Sequence, residues 1–196
     1  GFDIEYPDLF LTEGRNNSAI TMVAFLTPHS ETLPLVYDEL QRYSFTRKNR
    51  IFALSDFILS VQETKEVDIF HEEFHAFLAQ WKERMDEPLA IVIKVAASGD
   101  FLKRTYQQTR ELTRQIFFEG YDIILMESET VLSQEMDPFL TPLEQRQWIE
   151  MLEKRDTKAI RNWVEHEFLT FQRPYPDPEV VRIRLTSVLA QVRRYM

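Results

Sequence analysis

Short runs of apolar, β-branched residues set the outer limits on this fold. "AITMVAFL" (19–26) and "LAIVIKVAAS" (89–98) are apolar at odd and even positions alike. A strand of that kind is covered on both faces and sits inside a sheet. "RIFALSDFILSVQET" (50–64) reads as two short strands about a turn at Leu54-Ser55-Asp56, and "DIILM" (122–126) as a further strand. Helical segments lie between them. Ser30 is placed to cap a helix from Glu31 to Tyr43, with Leu33, Val36, Leu40 and Tyr43 on one face. Asp68 is placed to cap a second helix reaching Met85, ahead of a break at Pro88. Ser98-Gly99-Asp100 opens a third through Phe118, with Gly120 at its end. The order β-α-β-β-α-β-α-β predicts an α+β fold, a sheet with helices packed on it.

The pattern changes after Ser128. Thr141-Pro142-x-Glu144 is a capping box with proline in the first turn, and it opens a helix to Lys154. Asp156 or Thr157 caps the next, which carries Ile160, Trp163, Val164 and Phe168. "RPYPDP" (173–178) breaks the chain, and a last helix runs from Glu179 to the end. Residues 1–18 read as a linker, 19–128 as the α+β domain and 129–196 as an all-α helical segment.

Composition removes several functions. With no cysteine, disulfide scaffolds, thiol nucleophiles and Cys-ligated zinc are out. A net charge of −9 opposes direct nucleic-acid binding, which needs clustered Lys and Arg. No apolar run is long enough for a membrane span, so a cytoplasmic location is the default expectation. The chain opens Gly1-Phe2-Asp3 without an initiator Met, which reads as a piece of something longer.

"HEEFH" (71–75) spells the two-histidine zinc motif of metallohydrolases. At 100° per residue, Phe70, Phe74, Phe77, Leu78, Trp81 and Met85 fall in one buried arc. His71 and His75 lie on its rim with Lys82, and Glu72 points nearly opposite. A zinc hydrolase needs a third protein ligand. No further histidine follows before His166, and nothing marks Glu83 or Glu111 for the role. The expectation is an ordinary amphipathic helix without metal or other cofactor, with a zinc hydrolase as the alternative.

"RIFALSDFILSV", set between a strand-helix and a helix-strand, resembles the hairpin of diguanylate cyclase (GGDEF) domains. There the Gly-Gly-Asp-Glu-Phe turn holds GTP and metal. The corresponding run is Ala53-Leu54-Ser55-Asp56-Phe57. Phe57 matches, Asp56 stands in for the longer Glu, and both glycines are replaced. The metal-binding Asp that the resemblance implies at the end of the first strand is missing from "TMVAFLTPHS". "IVIKVAASGDFLKRTYQQTRELTRQIFFEG" is similar to the strand and helix of a degenerate cyclase-like domain in transcription regulators, with Phe117-Phe118-Glu119-Gly120 at its end and Thr109 in place of a usual Ala. "TPLEQRQWIEMLEKRDTKAIRNWVEHEFLTF" resembles the helices that follow. The pattern over 19–195 is that of the intermediate region of AraC-type two-component response regulators. The resemblance implies a non-enzymatic regulatory part, a phosphoacceptor input domain served by a histidine kinase, and DNA contact only through another domain.

Val181, Leu185, Val188, Val192 and Tyr195 are spaced 4, 3, 4, 3, a heptad seam. They predict either pairing of two chains into a homodimer or packing on the preceding helices through Trp163 and Phe168. Asp86-Glu87, Glu127 and Glu129 read as a solvated acidic rim, and Arg193-Arg194 as a helix-end charge pair. Tyr6, Phe10 and Tyr175 lie in loops open to a ligand or partner. A plain interaction scaffold is the remaining alternative.

Overall fold

The computed structural model describes residues 20–46, 49–63, 67–96, 102–127 and 134–195. The linker 1–18, the cap at Ser98-Gly99-Asp100 and Glu129 lie outside them, as do the side chains of Asp68, Phe70 and Glu127. The chain divides into two compact units, residues 1–130 and 131–196.

The first unit runs β1 (Ile20–Leu26), α1 (Leu33–Arg42), β2 (Asn49–Ala53), β3 (Ile58–Glu63), α2 (Val67–Arg84), β4 (Ala90–Val95), α3 (Leu102–Arg114), the single turn α4 (Ile116–Glu119) and β5 (Ile124–Glu127). Its strands form one five-stranded sheet in the order β2-β3-β1-β4-β5. Every pairing is antiparallel except β4 with β5, which are parallel. The fold is α+β with a mixed sheet.

The register explains why β1 and β4 are apolar throughout. Phe25 stands between Ile58 of β3 and Ile91 of β4, and Val23 between Ser60 and Ile93. Those residues form one face of the sheet. It is sealed by Leu33, Val36 and Leu40 of α1 and by Phe74, Phe77, Leu78 and Trp81 of α2. Side chains one position along point to the other face. There Phe57 stacks on Tyr106 of α3 at 6.5 Å. The buried stripe of α3 is Thr105, Tyr106, Thr109, Leu112 and Thr113. Thr109 is fully buried, and its hydroxyl donates back to the Thr105 carbonyl at 2.8 Å. The helix thereby satisfies a hydroxyl where the resembled family has a methyl.

Several boundaries differ from the expected ones. Ser30 caps nothing: a 3₁₀ turn occupies Ser30–Thr32, and α1 starts at Leu33 with Pro34 in its first turn. Proline has no N–H to lose there, so it marks the true start. Asp68 lies inside α2. The third helix ends at Arg114, four residues before the expected Phe118, and restarts as α4. Gly120 closes α4 at φ 83°, its N–H donating to the Ile116 carbonyl at 2.9 Å. That φ suits glycine.

The second unit holds α5 (Pro142–Glu153), α6 (Thr157–Phe168) and α7 (Pro178–Tyr195). The capping box is formed in full: Glu144 N–H donates to Thr141 Oγ1 at 3.3 Å, and Thr141 N–H to Glu144 Oε2 at 2.6 Å. Asp156 caps α6 by accepting from Ala159 N–H at 3.0 Å. Trp148, Leu152 and Val188 form the core, with Ile160, Trp163, Val164 and Phe168 packed on it. The rings of Trp148 and Trp163 stack at 4.6 Å. Trp148 Nε1 donates to the Val188 carbonyl at 3.3 Å, which gives the buried indole N–H its acceptor.

Candidate functional site

Three features gather at one end of the sheet. They are the end of β1, the β2–β3 turn and the approach to β4, because Phe25 pairs with Ile58 and Leu26 with Ala90. The turn closes with Leu54 N–H on the Phe57 carbonyl at 3.0 Å, and Phe57 is fully buried. Ser55 and Asp56 are exposed, and the Ser55 hydroxyl donates to Asp56 Oδ1 at 3.0 Å. Among the described non-glycine residues only Asp122 and Arg155 have positive φ. The turn therefore makes no demand for glycine, and replacing both glycines of the cyclase pattern leaves the hairpin unstrained.

β1 ends where the resemblance implies a metal-binding Asp, and the structure has Thr27. Its hydroxyl donates to the His29 carbonyl at 2.8 Å and accepts from the Thr32 hydroxyl at 2.8 Å. His29 Nδ1 meets Glu87 Oε1 at 3.0 Å, and the Glu87 carbonyl accepts from Trp81 Nε1 at 2.6 Å. The Glu87 contact raises the His29 pKa, first through the hydrogen bond and then through charge. A raised histidine stabilises the fold below its unfolded-state pKa, and that contribution is lost as pH rises through the folded value. Asp56 and Glu87 at this end are thus engaged with local partners. Among the described residues no three His, Asp or Glu side chains converge as a metal cage would require.

On α2 the two motif histidines lie side by side, Nε2 to Nε2 at 3.3 Å. Glu72 is exposed. Glu73 accepts from the Thr46 N–H at 2.6 Å and the Thr46 hydroxyl at 2.9 Å, tying α2 to the segment after α1. The arrangement a zinc hydrolase needs, a base aimed at a three-ligand metal, is not favoured by these contacts.

In the helical unit the five seam residues do not act together. Val181 and Val188 are buried, and Val188, Val192 and Tyr195 pack with Trp148, Trp163 and Phe168 within the chain. Leu185 stands apart, 37% exposed, beside Leu189 at 51%. The residue that organises this unit is one the heptad reading passes over. Arg184 is buried, and its guanidinium bonds Glu167 Oε1, Glu144 Oε1 at 2.9 Å, the Phe139 carbonyl at 2.7 Å and the Asp137 carbonyl at 3.2 Å. A cleft of about 350 Å³ lies beside the stacked tryptophans, lined by Gln147, Glu150, Met151, Lys154, Asp156 and Trp163.

The chain is thus an α+β unit whose hairpin turn lacks the glycines and the Glu of the cyclase pattern, and a helical unit held by a buried arginine. No family model and no curated protein matches it. Among solved structures, a microbial GGDEF domain studied for its interaction with cyclic di-GMP is similar over 61% of this chain and 86% of its own, at 10% identity and a TM-score of 0.48. A regulator of polyketide synthase expression from Bifidobacterium adolescentis is similar over 92% of this chain and 82% of its own, at 13% identity and a TM-score of 0.31. Among the described residues no helix is long and apolar enough to cross a membrane.

Proposed function

We propose that this chain is a non-enzymatic regulatory part of a bacterial transcription regulator, transmitting a signal or sensing an effector in the cytoplasm while a separate domain reads DNA. The observation that carries this reading is the hairpin. The element order follows the cyclase pattern, yet the turn reads Ala53-Leu54-Ser55-Asp56-Phe57 and the first strand is followed by Thr27. A cyclase needs carboxylates to hold metal ions on the triphosphate, and glycines to let the backbone approach it. A sheet and helices in that order, without that chemistry, fit a regulatory rather than a catalytic domain. The net charge of −9 fits DNA contact made elsewhere. The resemblance to AraC-type response regulators supplies the finer version, with a histidine kinase and a phosphoacceptor domain upstream.

A regulator that reads two half-sites works as a homodimer. Val181 and Val188 are buried and Val192 and Tyr195 half-buried, whereas Leu185 and Leu189 are open, so pairing through α7 would use those two leucines first. Light scattering over a concentration series tests this. Dimer at high concentration, lost in Leu185→Asp and Leu189→Asp while both variants stay folded, is the expected result. Val188→Asp should instead unfold the helical unit. A monomer at every concentration, or a dimer indifferent to both leucines, removes α7 from the pairing.

A further inference from the structure

We propose that His71 and His75 form a two-imidazole chelate for a divalent metal ion of the zinc class, separate from any catalytic role of the motif. Residues four apart on a helix stand one above the other, and here the two Nε2 atoms are 3.3 Å apart. With Zn–N bonds of about 2.0–2.1 Å, two ligands on neighbouring corners of a tetrahedron stand about 3.3–3.4 Å apart. The separation in the chain is therefore close to the bite of a tetrahedral ion, and the rings, with centroids 4.3 Å apart, need only splay outward to aim both nitrogens at it. Without metal the same contact is at best a long imidazole–imidazole hydrogen bond.

The backbone beneath the pair is held on both flanks. Phe74, between the two histidines in sequence, is fully buried and meets the Phe25 ring edge-on at 5.7 Å. Glu73 is fixed to Thr46 by two hydrogen bonds. Ligands on a helix so fixed need little reordering to bind, and such pre-organisation favours chelation. Imidazole nitrogen selects zinc, nickel or copper over magnesium, which prefers oxygen. His75 is exposed and His71 half-exposed, so an ion reaches them from solvent, with water filling its other positions. No third His, Asp or Glu joins the pair among the described residues. An ion held by two protein ligands is bound loosely and exchanges.

The test uses the full chain, tag-free and chelator-treated, titrated calorimetrically with zinc chloride and, in parallel, magnesium chloride. The expected result has three parts. The purified chain carries less than one zinc before titration. Added zinc binds with one equivalent per chain, and magnesium gives no saturable heat. His71→Gln and His75→Gln each weaken zinc binding at least about tenfold, while His29→Gln and His166→Gln leave it unchanged. Both targets lie on the solvent side of α2, and equal far-UV circular dichroism shows the variants folded. Zinc binding that survives His75→Gln, or falls equally on loss of His29 or His166, is adventitious and overturns the proposal. So does the absence of saturable zinc binding to the parent chain. A full equivalent of zinc retained through purification overturns the loose two-ligand site in favour of a complete one.

Discussion

Arg184→Ala should destabilise the helical unit by about 3–5 kcal/mol, the usual cost of removing one partner from a buried ion pair. Arg184 has 6% of its side chain exposed, and Glu167 17%. Removing the guanidinium leaves the Glu167 carboxylate half-desolvated beside Glu144 with no cation between them. It also takes the donor from two carbonyls, those of Asp137 and Phe139. Thermal unfolding followed by near-UV dichroism of the stacked Trp148 and Trp163 reports the loss. Arg184→Lys should fall between, because an ammonium keeps the charge but cannot span four acceptors in a plane. Replacing Arg184, Glu144 and Glu167 together by apolar residues of similar volume should recover part of the loss, since the charges no longer need one another. A loss under about 1 kcal/mol for Arg184→Ala would mean that water reaches the cluster freely.

The same cluster sets an acid limit. Burial pushes the Glu144 carboxyl up, but hydrogen bonds with Thr141 and the charge of Arg184 outweigh it and hold the group below its ordinary range. A depressed carboxylate stabilises the fold above its unfolded-state pKa, and the contribution is lost as pH falls through the folded value. The helical unit therefore weakens on the acid side. The His29–Glu87 contact in the sheet unit weakens instead as pH rises.

Phe25→Ala should cost the α+β unit about 3–5 kcal/mol. Phe25 is fully buried on the central strand, its ring edge-on to Phe74 at 5.7 Å and to Phe77 at 5.8 Å. Those aromatics come from α2 and cannot slide into the gap without leaving Trp81 and Leu78 behind. Against a domain stability of roughly 5–15 kcal/mol, that is a large share of the margin. Urea titration should show a lower midpoint at an unchanged slope. A shift equivalent to less than about 1 kcal/mol would mean the core collapses around the deletion.

What the chain reveals unaided, and what it hides, follows from the range of each interaction. The capping box at Thr141 and the Asp156 cap involve residues three apart, and both are legible in the sequence. So are the two strands covered on both faces, because burial by two layers writes itself as an unbroken apolar run. Arg184 is not legible: its four partners lie 17 to 47 residues away, and an arginine in a helix looks like solvent-facing charge until they meet. The heptad on α7 is legible as spacing, and the sequence leaves open whether it pairs chains or packs within one. Four residues on, Leu185 lies about 40° round the helix from Val181 and turns to the shoulder, while Val181 and Val188 stay inside. At the sheet end, the sequence shows that the turn lacks the glycines of the cyclase pattern. Only the backbone angles reveal that the hairpin runs without a positive φ and so does not need them.

The most direct measurement is incubation of the purified chain with GTP and magnesium or manganese, with chromatography of the nucleotides. A regulatory domain with the turn Ala53–Phe57 and Thr27 just after its first strand should leave GTP unchanged, indistinguishable from a heat-killed control. Cyclic dinucleotide above that control, lost in Asp56→Ala, would contradict the reading and return the chain to the enzymes.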